Sequence, residues 1–99
     1  MAHRVAPQAE TDLDEIWFYV AKESGSMDVA TRLVDSITDR FFFIANFPYA
    51  GRTRDLDFGP GVRSFPVGEY VIVYCVEEED VLILAVVHGK RDFEILFEL

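Results

Sequence analysis

Two stretches of the C-terminal half, residues 71–74 (Val-Ile-Val-Tyr) and 81–87 (Val-Leu-Ile-Leu-Ala-Val-Val), are apolar at every position rather than at alternate ones. An antiparallel strand with one wet face alternates apolar and polar residues, so uninterrupted apolar strands imply a sheet covered on both faces. The rest of the chain, or a partner, must supply that cover. The flanking residues make these stretches parts of one meander. Val62–Val67 reads as its first strand, Gly68-Glu69 as a tight turn, residues 70–76 as the second strand and residues 81–88 as the third. The acidic tetrad Glu77-Glu78-Glu79-Asp80 forms the tip of the second hairpin. Pro66 has no N–H to donate to a ladder, so the first strand lies at an edge or is bulged there.

Two helices upstream are the natural cover. After a short strand at residues 3–6, Pro7 suits the first turn of a helix, where its missing N–H has no partner to lose. Leu13, Ile16, Trp17 and Val20 recur at helical spacing and predict a buried face, with Asp12, Asp14 and Glu15 turned away near the positive end of the helix dipole. Gly25 is the expected stop and Ser26 the expected N-cap of the next helix. Over residues 28–46, Ala30, Leu33, Val34, Ile37, Phe41 and Ile44 form one stripe, which Phe42 and Phe43 widen; Pro48 ends it. Two such helices joined by a short turn pack antiparallel.

The expected fold is therefore α+β: a short N-terminal strand, an antiparallel helix hairpin packed on a three-stranded antiparallel meander, and a short C-terminal tail or helix, all in a single domain spanning residues 1–99. The helices cover one sheet face. Phe93, Ile95, Leu96, Phe97 and Leu99 make an apolar tail that can fold back, but five residues do not conceal a whole face. A protein partner is the remaining candidate.

Charge and cysteine content narrow the function. The chain carries 9 basic and 18 acidic residues, a formal charge of −9, which argues against a strong nonspecific grip on nucleic acid. Asp and Glu gather in residues 10–39 and 77–80, whereas Arg52, Arg54, Arg63, Lys90 and Arg91 lie in the C-terminal half, where any anion-handling surface must be. Cys75 is the only cysteine, so no internal disulfide forms; it is read as a buried, inert thiol suited to a reducing compartment. No apolar run is long enough for a secretory signal or a membrane span, and a cytoplasmic location is expected. Residues 49–61, with two arginines, three glycines and a proline but no period, read as a loop that carries function.

Three stretches carry a family resemblance. They are Asp12-Leu13-Asp14-Glu15-Ile16-Trp17; Phe47-Pro48-Tyr49-Ala50-Gly51-Arg52 together with Gly61-Val62-Arg63-Ser64-Phe65-Pro66-Val67-Gly68-Glu69-Tyr70 and the strand after it; and Val87-His88-Gly89-Lys90-Arg91-Asp92. In order and spacing the chain resembles the ParE/RelE toxins of type II toxin–antitoxin systems, and within them ParE most. The resemblance implies a helical hairpin on one face of a twisted antiparallel sheet and an open sheet surface clamped by an antitoxin segment. It also implies a ParD-like antitoxin as partner, DNA gyrase as target, and a toxin–antitoxin hetero-oligomer that binds operator DNA through the antitoxin. RelE-like members instead cut messenger RNA on the ribosome, which is the alternative; a non-toxic protein-interaction homologue is a third reading.

Cleavage of RNA needs convergent cations and an acid or base around one phosphate. For a nuclease the candidates are Arg63, His88 and Arg91. For binding a partner or target they are Arg52, Arg54, Arg63, Tyr74, His88, Lys90 and Arg91. Each has a plainer reading: His88 ending an apolar strand is more often structural, Tyr74 is more often core, and Arg63 either pairs with Asp55 or Asp57 or holds an anionic group. Arg52 and Arg54 are surface charges or partner contacts, and Lys90 and Arg91 lie in a solvated turn or bind. No phosphate loop, metal-spaced Cys/His set or nucleophile elbow occurs, so neither a cofactor nor a metal is expected. With little lysine near the candidate site and strong acidity, a binding poison is favoured over a ribosome-dependent nuclease.

Overall fold

The computed structural model describes residues 1–89. Its elements are β1 (His3–Val5), α1 (Pro7–Ser24), α2 (Met27–Asn46), β2 (Arg52–Thr53), β3 (Val62–Val67), β4 (Tyr70–Glu77) and β5 (Asp80–His88). The local signals act as read. Pro7 opens α1, Gly25 closes it in the left-handed region at φ 68°, and the Ser26 hydroxyl accepts from the Val29 N–H to cap α2. The N–H of Phe47 bonds the carbonyl of Phe43 before Pro48 ends the helix.

The strands form one five-stranded sheet in the order β1-β5-β4-β3-β2. Two features differ from the expected meander. The loop after α2 contains β2, which pairs Arg52 with Ser64 and Thr53 with Arg63. β1 runs parallel to β5, so the sheet is mixed rather than wholly antiparallel. The chain leaves β1, traverses both helices and re-enters the sheet at its far edge, so that the meander finishes beside β1. β3 is not the edge strand, because β2 pairs with Arg63 and Ser64; Pro66 lies beyond the end of β2, where among the described residues no ladder needs its missing donor.

Both helices lie on one face. Ala9 and Ile16 of α1 and Ile37, Phe41 and Ile44 of α2 pack against Tyr70, Ile72, Tyr74, Val81, Ile83 and Val86. Trp17, expected in the core, is only half-buried and lies at the seam between helices, where its indole N–H donates to the Thr31 hydroxyl at 3.1 Å. Phe42 does not join the stripe: it is exposed and meets the His3 ring edge-on.

Asp12 is not turned away. Its Oδ2 accepts from the backbone N–H of Val86 at 3.0 Å, while Oδ1 accepts from Gln8. A register shift explains this geometry. Val73 pairs with Ala85 but Tyr74 pairs with Ile83, leaving Leu84 as an extra residue in β5. Before the bulge Val81 and Ile83 face the helices; after it Val86 and His88 do. The Val86 N–H then points to the sheet edge beyond the short β1, and the α1 carboxylate takes the place of the missing strand.

The opposite face carries the rows Val62–Cys75–Leu82, Ser64–Val73–Ala85 and Pro66–Val71–Val87. Of these, Ser64 and Val73 are buried, Pro66 is exposed and the rest are half-buried. This face is therefore apolar on a sheet whose helices lie elsewhere. The tail residues Phe93, Ile95, Leu96, Phe97 and Leu99 lie outside the described residues.

Candidate functional site

The arginine loop is built around two side chains of the sheet. Tyr74 is 0% exposed; its hydroxyl donates to the Pro48 carbonyl at 2.8 Å and accepts from the Gly51 N–H at 2.8 Å. Arg63 lies beside it across the β3–β4 ladder and donates through Nη1 to the carbonyls of Gly51 at 2.7 Å and Tyr49 at 3.3 Å. Its guanidinium also sits 5.1 Å from the centre of the Tyr49 ring, a cation–π distance. Burial raises the pKa of Tyr74 above its ordinary value, against the lowering effect of the Gly51 N–H and the Arg63 charge. Gly51 must be glycine for lack of space: an added Cβ falls 2.7 Å from Tyr74 Cε1 and 2.8 Å from the Ser64 carbonyl oxygen.

Arg63 thus pairs with neither Asp55 nor Asp57. Asp55 accepts the Gly61 N–H, and Asp57 lies 3.4 Å from Arg54. The Nε of Arg54 donates to the buried Ser64 hydroxyl at 2.7 Å, and Arg54 is half-buried over the open sheet face. Arg52, opposite Ser64 and on the same open face as Arg54, is exposed on β2. Cations consequently flank the β2–β3 edge, Arg52 and Arg54 on the open face and Arg63 on the helix face.

His88 is elsewhere. It pairs with Tyr70, with the two rings edge-on at 5.5 Å, and its Nε2 lies 3.7 Å from Glu69. Tyr74 lies four residues along β4 from Tyr70, and β5 and β3 are two strand spacings apart, so the Cα of His88 lies about 16 Å from that of Arg63 at ordinary sheet dimensions. It borders a cleft of about 280 Å³ with Asp12, Glu15, Ile16, Tyr19, Tyr70, Val86 and Val87. Of the residues singled out in sequence, the structure joins Arg63, Tyr74, Arg54 and Arg52 around one loop and leaves His88 at the other end of the sheet; Lys90 and Arg91 lie outside the described residues. Asp12 was missed as a functional position in the fold. Its spacing from Ala9 and Ile16, three residues after one and four before the other, places it on the buried helix face and is the signal that marks it.

Cys75 stands half-buried on the open sheet face. Burial raises its pKa, Glu77 adds to the rise and Arg4 opposes it. A raised pKa leaves less thiolate at neutral pH. Cys75 should therefore react with a thiol-disulfide reagent more slowly than free cysteine at pH 8; a rate equal to or above that of the free amino acid would contradict this assignment. Among the described residues no group of His, Cys, Asp and Glu is arranged to hold a metal, and no helix is long and apolar enough to cross a membrane.

Comparison with known proteins bears directly on this arrangement. The fold is similar to that of a chain in the chromosomal ParDE toxin–antitoxin system from P. aeruginosa, with a TM-score of 0.79 and 21% identity, covering 91% of this chain and 97% of the other. It is also similar to a chain in the toxin–antitoxin complex RelBE2 from Mycobacterium tuberculosis, with a TM-score of 0.64 and 22% identity over 88% of this chain and 95% of the other. At these identities the likeness shows the shared α+β toxin fold. Sequence goes further: the chain is 34% identical to Toxin ParE3 of Caulobacter vibrioides over 81 residues, covering 82% of this chain and 79% of the relative. Residues 4–93 match the family of the ParE toxin of the type II toxin–antitoxin system parDE. With two helices on one face of a mixed sheet and this match over most of its length, the chain belongs to the ParE toxin family.

Proposed function

We propose that this chain, as a single domain over residues 1–99, acts in the cytoplasm as a binding poison of DNA gyrase and is silenced by a ParD-like antitoxin. The carrying observation is the separation of Arg63 from His88. A nuclease must bring a cation and a proton-transfer group to one phosphate within hydrogen-bond reach. With their Cα atoms about 16 Å apart on the sheet, the two side chains could converge on one phosphate only if Arg63 left the loop that it holds. Arg63 is, moreover, engaged with the carbonyls of Tyr49 and Gly51.

The half-buried apolar face formed by Val62, Val71, Cys75, Leu82 and Val87 supports an antitoxin segment laid across the sheet, with operator DNA bound through the antitoxin. Apolar burial is the expected main source of affinity, because the toxin itself carries −9. Membership of a type II family supports the existence of such a partner.

The test is induction of the wild-type chain and of His88→Gln in bacterial cells. Gyrase poisoning predicts filamentation and DNA-damage signalling with messenger RNA intact, and toxicity retained by His88→Gln. A general acid or base contributes about 10²–10⁴-fold to a rate, so loss of toxicity with His88→Gln, together with rapid messenger RNA cleavage on ribosomes, would establish the RelE-like activity instead.

A further inference from the structure

The end of α2 presents an apolar notch that the core does not use. Phe43, Asn46, Phe47, Pro48, Tyr49 and Ala50 line a recess of about 450 Å³. Phe47 is 58% exposed and Tyr49 68%. Phe43 lines it, its ring tilted against those of Phe47 and of Phe65 in β3 at centroid distances of 5.1 and 5.5 Å.

These aromatic side chains are exposed yet held in place. The Tyr74 hydroxyl and the Arg63 guanidinium fasten the backbone from Pro48 to Gly51 by hydrogen bonds from beneath. An unconstrained loop would let Phe47 and Tyr49 collapse onto the surface. A fixed one keeps them ready to bind, without the ordering cost that a mobile loop would pay on association.

The segment that forms the notch differs in charge from the rest of the chain. Residues 40–54 contain Arg40, Arg52 and Arg54 and no carboxylate, between Asp39 and Asp55, in a chain with twice as many acidic as basic residues; Arg54 is already paired with Asp57, which leaves Arg40 and Arg52 as the cations flanking the notch. The Arg40 guanidinium lies 5.9 Å from the centre of the Phe43 ring and that of Arg63 5.1 Å from Tyr49. Arg52 begins β2, immediately beyond the loop, on the open sheet face. An apolar recess between cations fits an anionic segment that carries a large apolar side chain. The cations also continue around the β2 edge to the open sheet face, so one extended segment can follow both.

We infer that this notch is the docking site for an acidic stretch of the antitoxin, whose large apolar side chain seats between Phe47 and Tyr49 while its carboxylates meet Arg40 and Arg52. The inference rests on the reading of the chain as a toxin silenced by an antitoxin. It adds a second contact, around the β2 edge from the sheet face.

The experiment uses the full-length chain and the product of the reading frame adjoining its gene, purified apart and recombined. Calorimetry gives Kd for the wild type, for Phe47→Ala/Tyr49→Ala and for Arg40→Glu/Arg52→Glu. Because the substituted side chains are exposed, thermal melting should confirm folding. The aromatic double variant should bind about 30-fold or more weakly, the scale of an interface hot spot. The charge variant should associate more slowly and lose the salt dependence of its on-rate. The aromatic double variant, which keeps every arginine, should remain toxic when induced alone and escape rescue by the antitoxin. Affinities within about two-fold of wild type overturn the notch assignment alone. So does loss of toxicity with antitoxin affinity unchanged, which makes the notch a target surface, and so does loss of a wild-type dimer with that affinity unchanged, which makes it a self-contact. Failure of the wild-type chain to bind the neighbouring product at all overturns the toxin–antitoxin reading and the notch with it.

Discussion

Replacing Gly51 by alanine should lower the stability of this protein by about 3 kcal/mol, the upper end of the usual cost of overpacking a tight site. For a domain of this size that corresponds to a fall in Tm of roughly 12–24 °C. The cause is space and not backbone conformation, because Gly51 is not among the glycines with positive φ. The new methyl group meets the Tyr74 ring and the Ser64 carbonyl, and must push away the hydroxyl that bonds the Gly51 N–H and Pro48 carbonyl. Tyr74→Phe should cost less, about 1–3 kcal/mol, by leaving those two backbone groups without their partner. Combining the two should cost less than their sum, since removing the hydroxyl relieves part of the clash. A Gly51→Ala melting point within about 3 °C of wild type would rule out this account of the loop.

The same anchor has a pH signature. The neutral Tyr74 hydroxyl is the form that donates to Pro48, and its folded pKa lies above the ordinary value of 10.0. Its contribution is fully present below pH 10 and is lost as pH rises from there through the folded pKa. Wild-type stability should therefore fall more steeply above pH 10 than that of Tyr74→Phe.

Asp12→Ala should destabilise by about 1–3 kcal/mol, the cost of leaving a backbone donor unsatisfied in a partly buried position. Asp14→Ala, on the opposite side of α1 and exposed, should lie within about 0.5 kcal/mol of wild type. Asp12→Asn should retain most of the stability, because its side-chain carbonyl can still accept from Val86. Hydrogen exchange gives the local readout: the Val86 amide should lose protection in Asp12→Ala and keep it in Asp12→Asn. Equal effects of the Asp12 and Asp14 substitutions would show that the carboxylate does not close the edge of β5. In the native protein that carboxylate fastens α1 to the sheet where β1 is too short to reach, and so fixes the helix hairpin against the bulged end of β5.

Much of this fold was legible because local chemistry dictates it. The Pro7 start, the Gly25 stop, the Ser26 cap and the stripe from Ala30 to Ile44 each depend on the residue and its neighbours along the chain, and each element forms where its signal stands. Continuous apolar strands likewise declared a sheet whose second face is apolar. What periodicity could not reveal is the bulge at Leu84, since in a run apolar at every position a one-residue slip leaves no trace in the pattern. That slip decides that Val86 and His88, rather than Ala85 and Val87, face the helices. The arginines were likewise visible as a group, but their partners were not. A guanidinium bonds whichever acceptors tertiary folding brings within about 3 Å, and for Arg63 these are loop carbonyls 12 and 14 residues away rather than a nearby carboxylate. Sequence alone determined the elements and their apolar faces; only the tertiary structure decided register, the partner of each charge and the distance that keeps His88 from the arginine loop, because these depend on contacts between residues far apart in the chain.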